Sequence, residues 1–193
     1  MPRFPAFSLQ LPEWVDALLP DPDQVYPTLE DRMRLVIELS RRNVLMGTGG
    51  PFGAAIFALD SGKLLAPGVN LVVPSHCSVA HAETVALMIA QPLVGTFDLA
   101  APGLPPYQLV ASTEPCAMCF GAVPWSGVRS LVCGARDEDA RAIGFDEGPK
   151  MSNWAAALEK RGIQVVRDIL REDAAAVLRH YAQVGPIYNP GRS

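Results

Sequence analysis

The stretch VAHAETVALM, residues 79–88, sets one imidazole and one carboxyl, His81 and Glu83, in an otherwise apolar run. Ionisable groups in such a run lose hydration on folding unless a partner or a metal replaces the water. A second chemically loaded stretch is PCAMC, residues 115–119, with Cys116 and Cys119 separated by two residues. That spacing can bring both sulfurs to one face of a helix's first turn, and Pro115 suits a helix start, where no amide donor is needed. The positive end of the helix there favours thiolates. With His81 added, the set is three ligands for a tetrahedral Zn²⁺ with one position left open, which is the pattern of a catalytic site. Water in that position is acidified, its pKa falling from about 15.7 toward roughly 7 in favourable sites, although two thiolates donate charge and weaken the effect. A nearby base is therefore useful, and Glu83 is the candidate. In mid-helix His81 and Glu83 would point to opposite sides, so both can face the metal only from the helix's first turn. A closed structural site would instead need a fourth protein ligand, for which His76 and Cys77 are the nearby candidates.

The elements that must hold these groups follow from hydrophobic spacing. TLEDRMRLVIELSRRNVLMG, residues 28–47, predicts a helix with Thr28 as its cap and Gly47 as its stop. The apolar runs PFGAAIFAL and KLLAPGVNLVV, separated by DSG, predict a β-hairpin. HAETVALMIAQ reads as a second helix, YQLVAST as a strand, CAMCFGAV as a short helix ended by Pro124, and VRSLVCGA as another strand. MSNWAAALEKRG, IQVVRD and REDAAAVLRHYAQV then give helix, strand, helix. Strands alternating with helices, several of them apolar on both faces, predict an α/β sheet covered by helices. Residues 1–26 are proline-rich and read as an arm wrapping the body. GTGGPFG, residues 47–53, lacks the Gly-Lys-Ser/Thr ending of a phosphate loop and precedes a strand, so it reads as a structural loop or a pocket wall.

Composition narrows the classes further. A chain of 193 residues, 49% hydrophobic and 19% charged, fits one globular domain. A net charge of -4 argues against sequence-independent nucleic-acid affinity, and the basic pair Arg41 and Arg42 falls where it favours the negative end of the first helix. Small neutral or cationic substrates fit better. Pro2, Pro5, Pro12 and Pro20 interrupt any signal-peptide-like run, and no apolar run approaches the roughly 20 residues of a membrane helix. The expectation is a cytoplasmic protein with reduced thiols, Cys133 serving as a core residue and His180 as a solvated one.

An HxE motif followed some 30 residues later by PCxxC is the signature of zinc deaminases. From roughly Leu29 to Pro190 the chain resembles the cytidine-deaminase-like superfamily, and within it the bacterial guanine deaminases. The resemblance rests on PFGAAIF, GVN, AHAE and TEPCAMCFGA and, for the narrower group, on AIGFDEG at residues 142–148. It implies an α/β fold, a three-layer α/β/α sandwich around a mixed five-stranded sheet, in a single deaminase domain over residues 1–193 that typically forms a homodimer. It also implies that His81, Cys116 and Cys119 hold Zn²⁺ and that Glu83 carries protons between water and the purine ring. Asn70 of GVN would hydrogen-bond the substrate carbonyl, and Phe52 would lie against the purine face. Glu147 would contact the amino group and adjacent ring N–H of guanine and help protonate departing ammonia. The tail GPIYNPGRS, residues 185–193 with Tyr188, would help close the site. The reaction implied is hydrolytic deamination of guanine to xanthine and ammonia. A tRNA adenosine deaminase or a cytosine-type deaminase would share the zinc apparatus, and a noncatalytic structural zinc module is the reading from another class.

Overall fold

The computed structural model describes Arg3, Ala6, residues 8–19 and residues 21–189. Positions 1, 2, 4, 5, 7 and 20 of the expected arm and 190–193 of the expected tail lie outside the described residues. In chain order the elements are α1 (Trp14–Leu18), α2 (Leu29–Leu45), β1 (Gly53–Ala58), β2 (Leu64–Val69), α3 (Val72–Ser75), α4 (Ala82–Val94), β3 (Tyr107–Thr113), α5 (Ala117–Ser126), β4 (Ser130–Ala135), α6 (Asp137–Ala142), α7 (Trp154–Glu159), β5 (Gln164–Val166) and α8 (Arg171–Val184).

Every residue of β1 is buried, so the strand must be covered on both faces. Its alternation divides the core accordingly. Ala54 and Ile56 enter one cluster with Leu109 and Leu131, against residues of α4, α5 and α7 such as Ala86, Val123 and Leu158. Ala55 and Phe57 enter the other with Val110 and Val132, against Met33, Val36 and Leu39 of α2 and Val15 of α1. Helix α8 packs beside α2 and over β4. The five strands run in the order β2-β1-β3-β4-β5. β1 is antiparallel to β2 and β3, whereas β3, β4 and β5 run parallel, so the sheet is mixed, as expected. Among the described residues no helix is long and apolar enough to cross a membrane.

Local chemistry explains most boundaries. Thr28 caps α2 through a reciprocal capping box with Asp31, and the helix ends two residues before Gly47, which takes the left-handed conformation at φ 64°. The hairpin turns through Gly62, whose φ of 70° suits a residue without a Cβ.

Two expectations need correction. The second hairpin strand does not continue through Leu71, Val72 and Val73, because the Asn70 side chain accepts a hydrogen bond from the Val72 N–H (3.3 Å) and turns the chain into α3. Pro124 does not end α5. It forgoes one backbone bond inside the helix, and the stop is Gly127, left-handed at φ 83°. Within the arm, α1 forms and buries Val15 completely.

Candidate active site

The starts of two helices build the centre. His81 is the N-cap residue of α4, with extended backbone (φ -73°, ψ 158°), and Glu83 is the second residue of the helix proper. This first-turn placement lets side chains two positions apart share a face, and a carboxylate there is favoured by the helix dipole. Cys116 is the N-cap of α5, its sulfur accepting from the Cys119 N–H at 3.5 Å. Pro115 therefore sits one residue before the cap and not in the first turn. The first helical residue is Ala117, whose amide donates to the Glu147 carbonyl at 2.9 Å. An N–H that the helix cannot satisfy internally thus docks the loop that carries the second acid.

The His81 Nδ1 atom lies 3.5 Å from the Cys116 Sγ and 3.6 Å from the Cys119 Sγ. Zinc bonds of about 2.3 Å to sulfur and about 2.0–2.1 Å to nitrogen, opened to a tetrahedral angle, require N to S separations of about 3.6 Å. The donors therefore fit zinc both in kind and in spacing. Among the described residues no further His, Cys, Asp or Glu joins this group of three. His76 is exposed, and neither it nor Cys77 provides a fourth ligand. The set has the three protein ligands of a catalytic site.

The electrostatics agree with cation binding. A hydrogen bond from the Cys119 thiol and the hydrogen bond and charge of His81 push the Cys116 thiol down to about 4, against the opposing effect of burial. Burial, reinforced by the Cys116 charge, raises the Glu83 carboxyl, and the same causes push Glu147 up to about 8. A bound cation opposes both increases, because it compensates the thiolate charge.

Beside the ligands opens a cavity of ≈ 140 Å³ whose walls include His81, Val72, Phe145, Glu147, Tyr188 and Asn189. Glu147 is 6% exposed. Its loop is pinned by the Ala117 amide, by Lys150 Nζ donating to the Pro115 carbonyl (2.8 Å), and by Arg141 donating to the Gly148 carbonyl (3.0 Å). The tail returns over the same loop, with the Asp146 N–H donating to Asn189 Oδ1 (3.0 Å) and Asn189 Nδ2 donating to the Gly144 carbonyl (2.8 Å).

Asn70, 1% exposed, follows β2 and pairs its N–H with the Phe52 carbonyl at 3.1 Å. Its Oδ1 accepts from the Tyr188 hydroxyl (2.8 Å) and from the Val72 N–H. A backbone N–H can only donate, so this contact fixes which end of the amide is oxygen. Nδ2 is left to donate elsewhere. Burial raises the Tyr188 phenol far above its ordinary value, so it remains a neutral donor to Asn70.

Phe52 packs edge-on against Phe145, with ring centroids 5.0 Å apart, and Phe145 makes a similar contact with Tyr188 at 5.2 Å. Phe145 lines the cavity and was not singled out from the sequence. Its signal was its place two residues before Glu147 in AIGFDEG. Cys133 is fully buried in β4 and His180 is exposed on α8, as expected.

Comparison with known proteins points the same way. The family model for the cytidine and deoxycytidylate deaminase zinc-binding region matches residues 27–135, a span that holds His81, Glu83, Cys116 and Cys119. The chain is 35% identical to the guanine deaminase of Bacillus subtilis over 118 residues, covering 61% of this chain and 71% of that one. It is similar to the solved guanine deaminase from Nitrosomonas europaea, with 52% identity and a TM-score of 0.88 over 92% of this chain and 97% of that one. A structure in complex with 2,6-diaminopurine is similar at 53% identity and a TM-score of 0.89, covering 95% of this chain and 97% of that one. With the zinc donors, the neighbouring acid and the mixed sheet all in place, the chain belongs to the cytidine and deoxycytidylate deaminase zinc-binding family.

Proposed function

We propose that this protein is a zinc-dependent guanine deaminase, hydrolysing guanine to xanthine and ammonia. The observation that carries the reading is Glu147, a second buried carboxyl in the wall of the cavity that His81 also lines. Guanine presents adjacent donors on one edge, the ring N1–H and the 2-amino group, and a carboxylate with two acceptor oxygens matches that edge. Its 6-oxo group is an acceptor and matches the free donor of Asn70, Nδ2. The guanine deaminases among the similar proteins support the same substrate.

Zinc held by His81, Cys116 and Cys119 supplies a Lewis acid that makes water nucleophilic near neutral pH. Glu83 accepts a proton from the attacking water and delivers it to N3 of the ring as oxygen bonds to C2. Glu147 holds N1–H and the amino group, and Asn70 holds O6, so that C2 faces the water. Glu83 or Glu147 then takes the remaining hydroxyl proton at C2 and passes it to the 2-amino nitrogen. The C–N bond breaks, ammonia leaves, and xanthine carries the oxygen at C2. Phe52 and Phe145 provide aromatic surface for the ring, and Tyr188 keeps the Asn70 amide oriented. A substrate panel of guanine, cytosine and an adenosine-containing anticodon hairpin tests the assignment, with turnover expected on guanine.

We further propose that residues 1–193 act as one cytoplasmic domain, without a nucleic-acid partner, and pair into a homodimer. Trp125 is 85% exposed on the outer side of α5, and Val79, Met88 and Trp125 line one apolar groove between α4 and α5. Exposed apolar surface of this kind marks interaction sites. Light scattering is expected to give twice the chain mass. Trp125→Glu is expected to shift that mass toward one chain, and a wild-type protein with the mass of one chain would contradict the dimer.

A further inference from the structure

The glycines of the loop before β1 and the N-terminal arm, which the reaction leaves unused, meet at a single buried side chain. Asn43, on the last turn of α2, has no exposed surface. Its Nδ2 donates to two carbonyls, those of Gly50 and Asn70, each at 2.9 Å. Its Oδ1 accepts from the Thr48 hydroxyl at 2.8 Å, and that hydroxyl accepts from the Trp14 indole N–H at 3.0 Å. The polarity is consistent along the line: indole N–H to hydroxyl, hydroxyl to amide oxygen, amide N–H to the backbone of the residue that faces O6.

The loop is built to allow this approach. A Cβ on Gly49 would lie 1.9 Å from the Asn70 carbonyl oxygen and 2.6 Å from Asn43 Nδ2, while one on Gly50 would lie 2.1 Å from the Tyr188 hydroxyl. Only residues without side chains let the loop pass between Asn43, Asn70 and Tyr188. Asn70 is thereby held from both sides, its backbone by Asn43 and its amide by Tyr188 and the Val72 N–H.

We propose that Asn43 is a positioning residue for Asn70, and that Thr48 and Trp14 extend the support to the arm, giving α1 a part in recognition of the 6-oxo group. The inference rests on the guanine reading above, which wild-type turnover of guanine checks separately in the same assay. Trp14→Phe and Thr48→Val each break the line at one hydrogen bond, Thr48→Val with side-chain volume nearly unchanged and Trp14→Phe with a smaller aromatic ring in place of the indole. Loss of one such bond at a distance is expected to lower kcat/KM for guanine by about 3- to 10-fold.

Two readouts separate this role from a general loss of structure. 2,6-Diaminopurine has an amino group where guanine has its oxo group, so it cannot accept from Asn70 Nδ2. Its inhibition constant against guanine deamination is expected to change less than about twofold in both variants, since the affected contact is absent. In an Asn70→Ala background the same two substitutions are expected to lose their effect on guanine, because coupled residues are not additive. Equal loss toward guanine and diaminopurine, full additivity with Asn70→Ala, or no change in kcat/KM would overturn the proposal. Asn43→Ala should cost more than either variant. Trp14→Phe and Thr48→Val keep the test decisive if the Asn43 variant does not fold.

Discussion

Glu83→Gln is expected to lower kcat for guanine by about 10² to 10⁴ while leaving zinc content unchanged. Glutamine keeps the shape of the side chain and its hydrogen-bonding capacity but cannot take up and release a proton. Glu83 is 8% exposed, and its carboxyl is raised by burial and by the Cys116 charge, so its neighbourhood suits a group that changes protonation during turnover. The metal donors His81, Cys116 and Cys119 form their group without it. Metal analysis of the variant alongside single-turnover kinetics therefore separates proton transfer from zinc binding. Retained turnover would place the proton carrier elsewhere, and loss of zinc would make Glu83 part of the metal's support.

The second large effect is expected at Glu147. A carboxylate accepting two N–H groups of guanine makes charge-assisted bonds worth about 1.5–3 kcal/mol each when buried. Glutamine in its place offers one acceptor oxygen and presents an NH₂ to the other donor. Glu147→Gln is thus expected to reduce kcat/KM by about 10² or more, converting roughly 3 kcal/mol at 1.4 kcal/mol per tenfold. Because the Ala117 amide bonds the Glu147 backbone carbonyl, the loop should keep its place in the variant. Steady-state kinetics with unchanged circular dichroism checks this, and an unchanged kcat/KM would mean that the carboxylate does not touch the substrate.

The zinc donors were legible because their information is local. Two cysteines at helical spacing and a histidine with an acid two positions on need only two helix starts, and the requirement that His81 and Glu83 share a first turn is met by α4 beginning at Ala82. The sheet was legible through strands such as β1 and β3, buried at every position and bounded by turns. Helix α8 spans the residues its pattern predicted, Arg171–Val184. What escaped depends on side chains reaching the backbone or across the fold. An Asx contact from Asn70 turned an apolar stretch, good strand material by composition, into α3. Helix α6 is only six residues long, too short for periodicity to show. Phe145 gained its place in the cavity from the docking of its loop on α5, and Asn43 lies 27 residues from Asn70 in sequence. No spacing rule connects such pairs, because tertiary packing alone brings them together.

The most direct measurement of the central claim is incubation of the purified, zinc-loaded protein with free guanine while xanthine and ammonia are followed together. The account predicts the two products in equal amounts, with none from Glu83→Gln on the same timescale. Absence of xanthine from the zinc-loaded wild type, with release of ammonia from cytosine or from an anticodon hairpin instead, would contradict it.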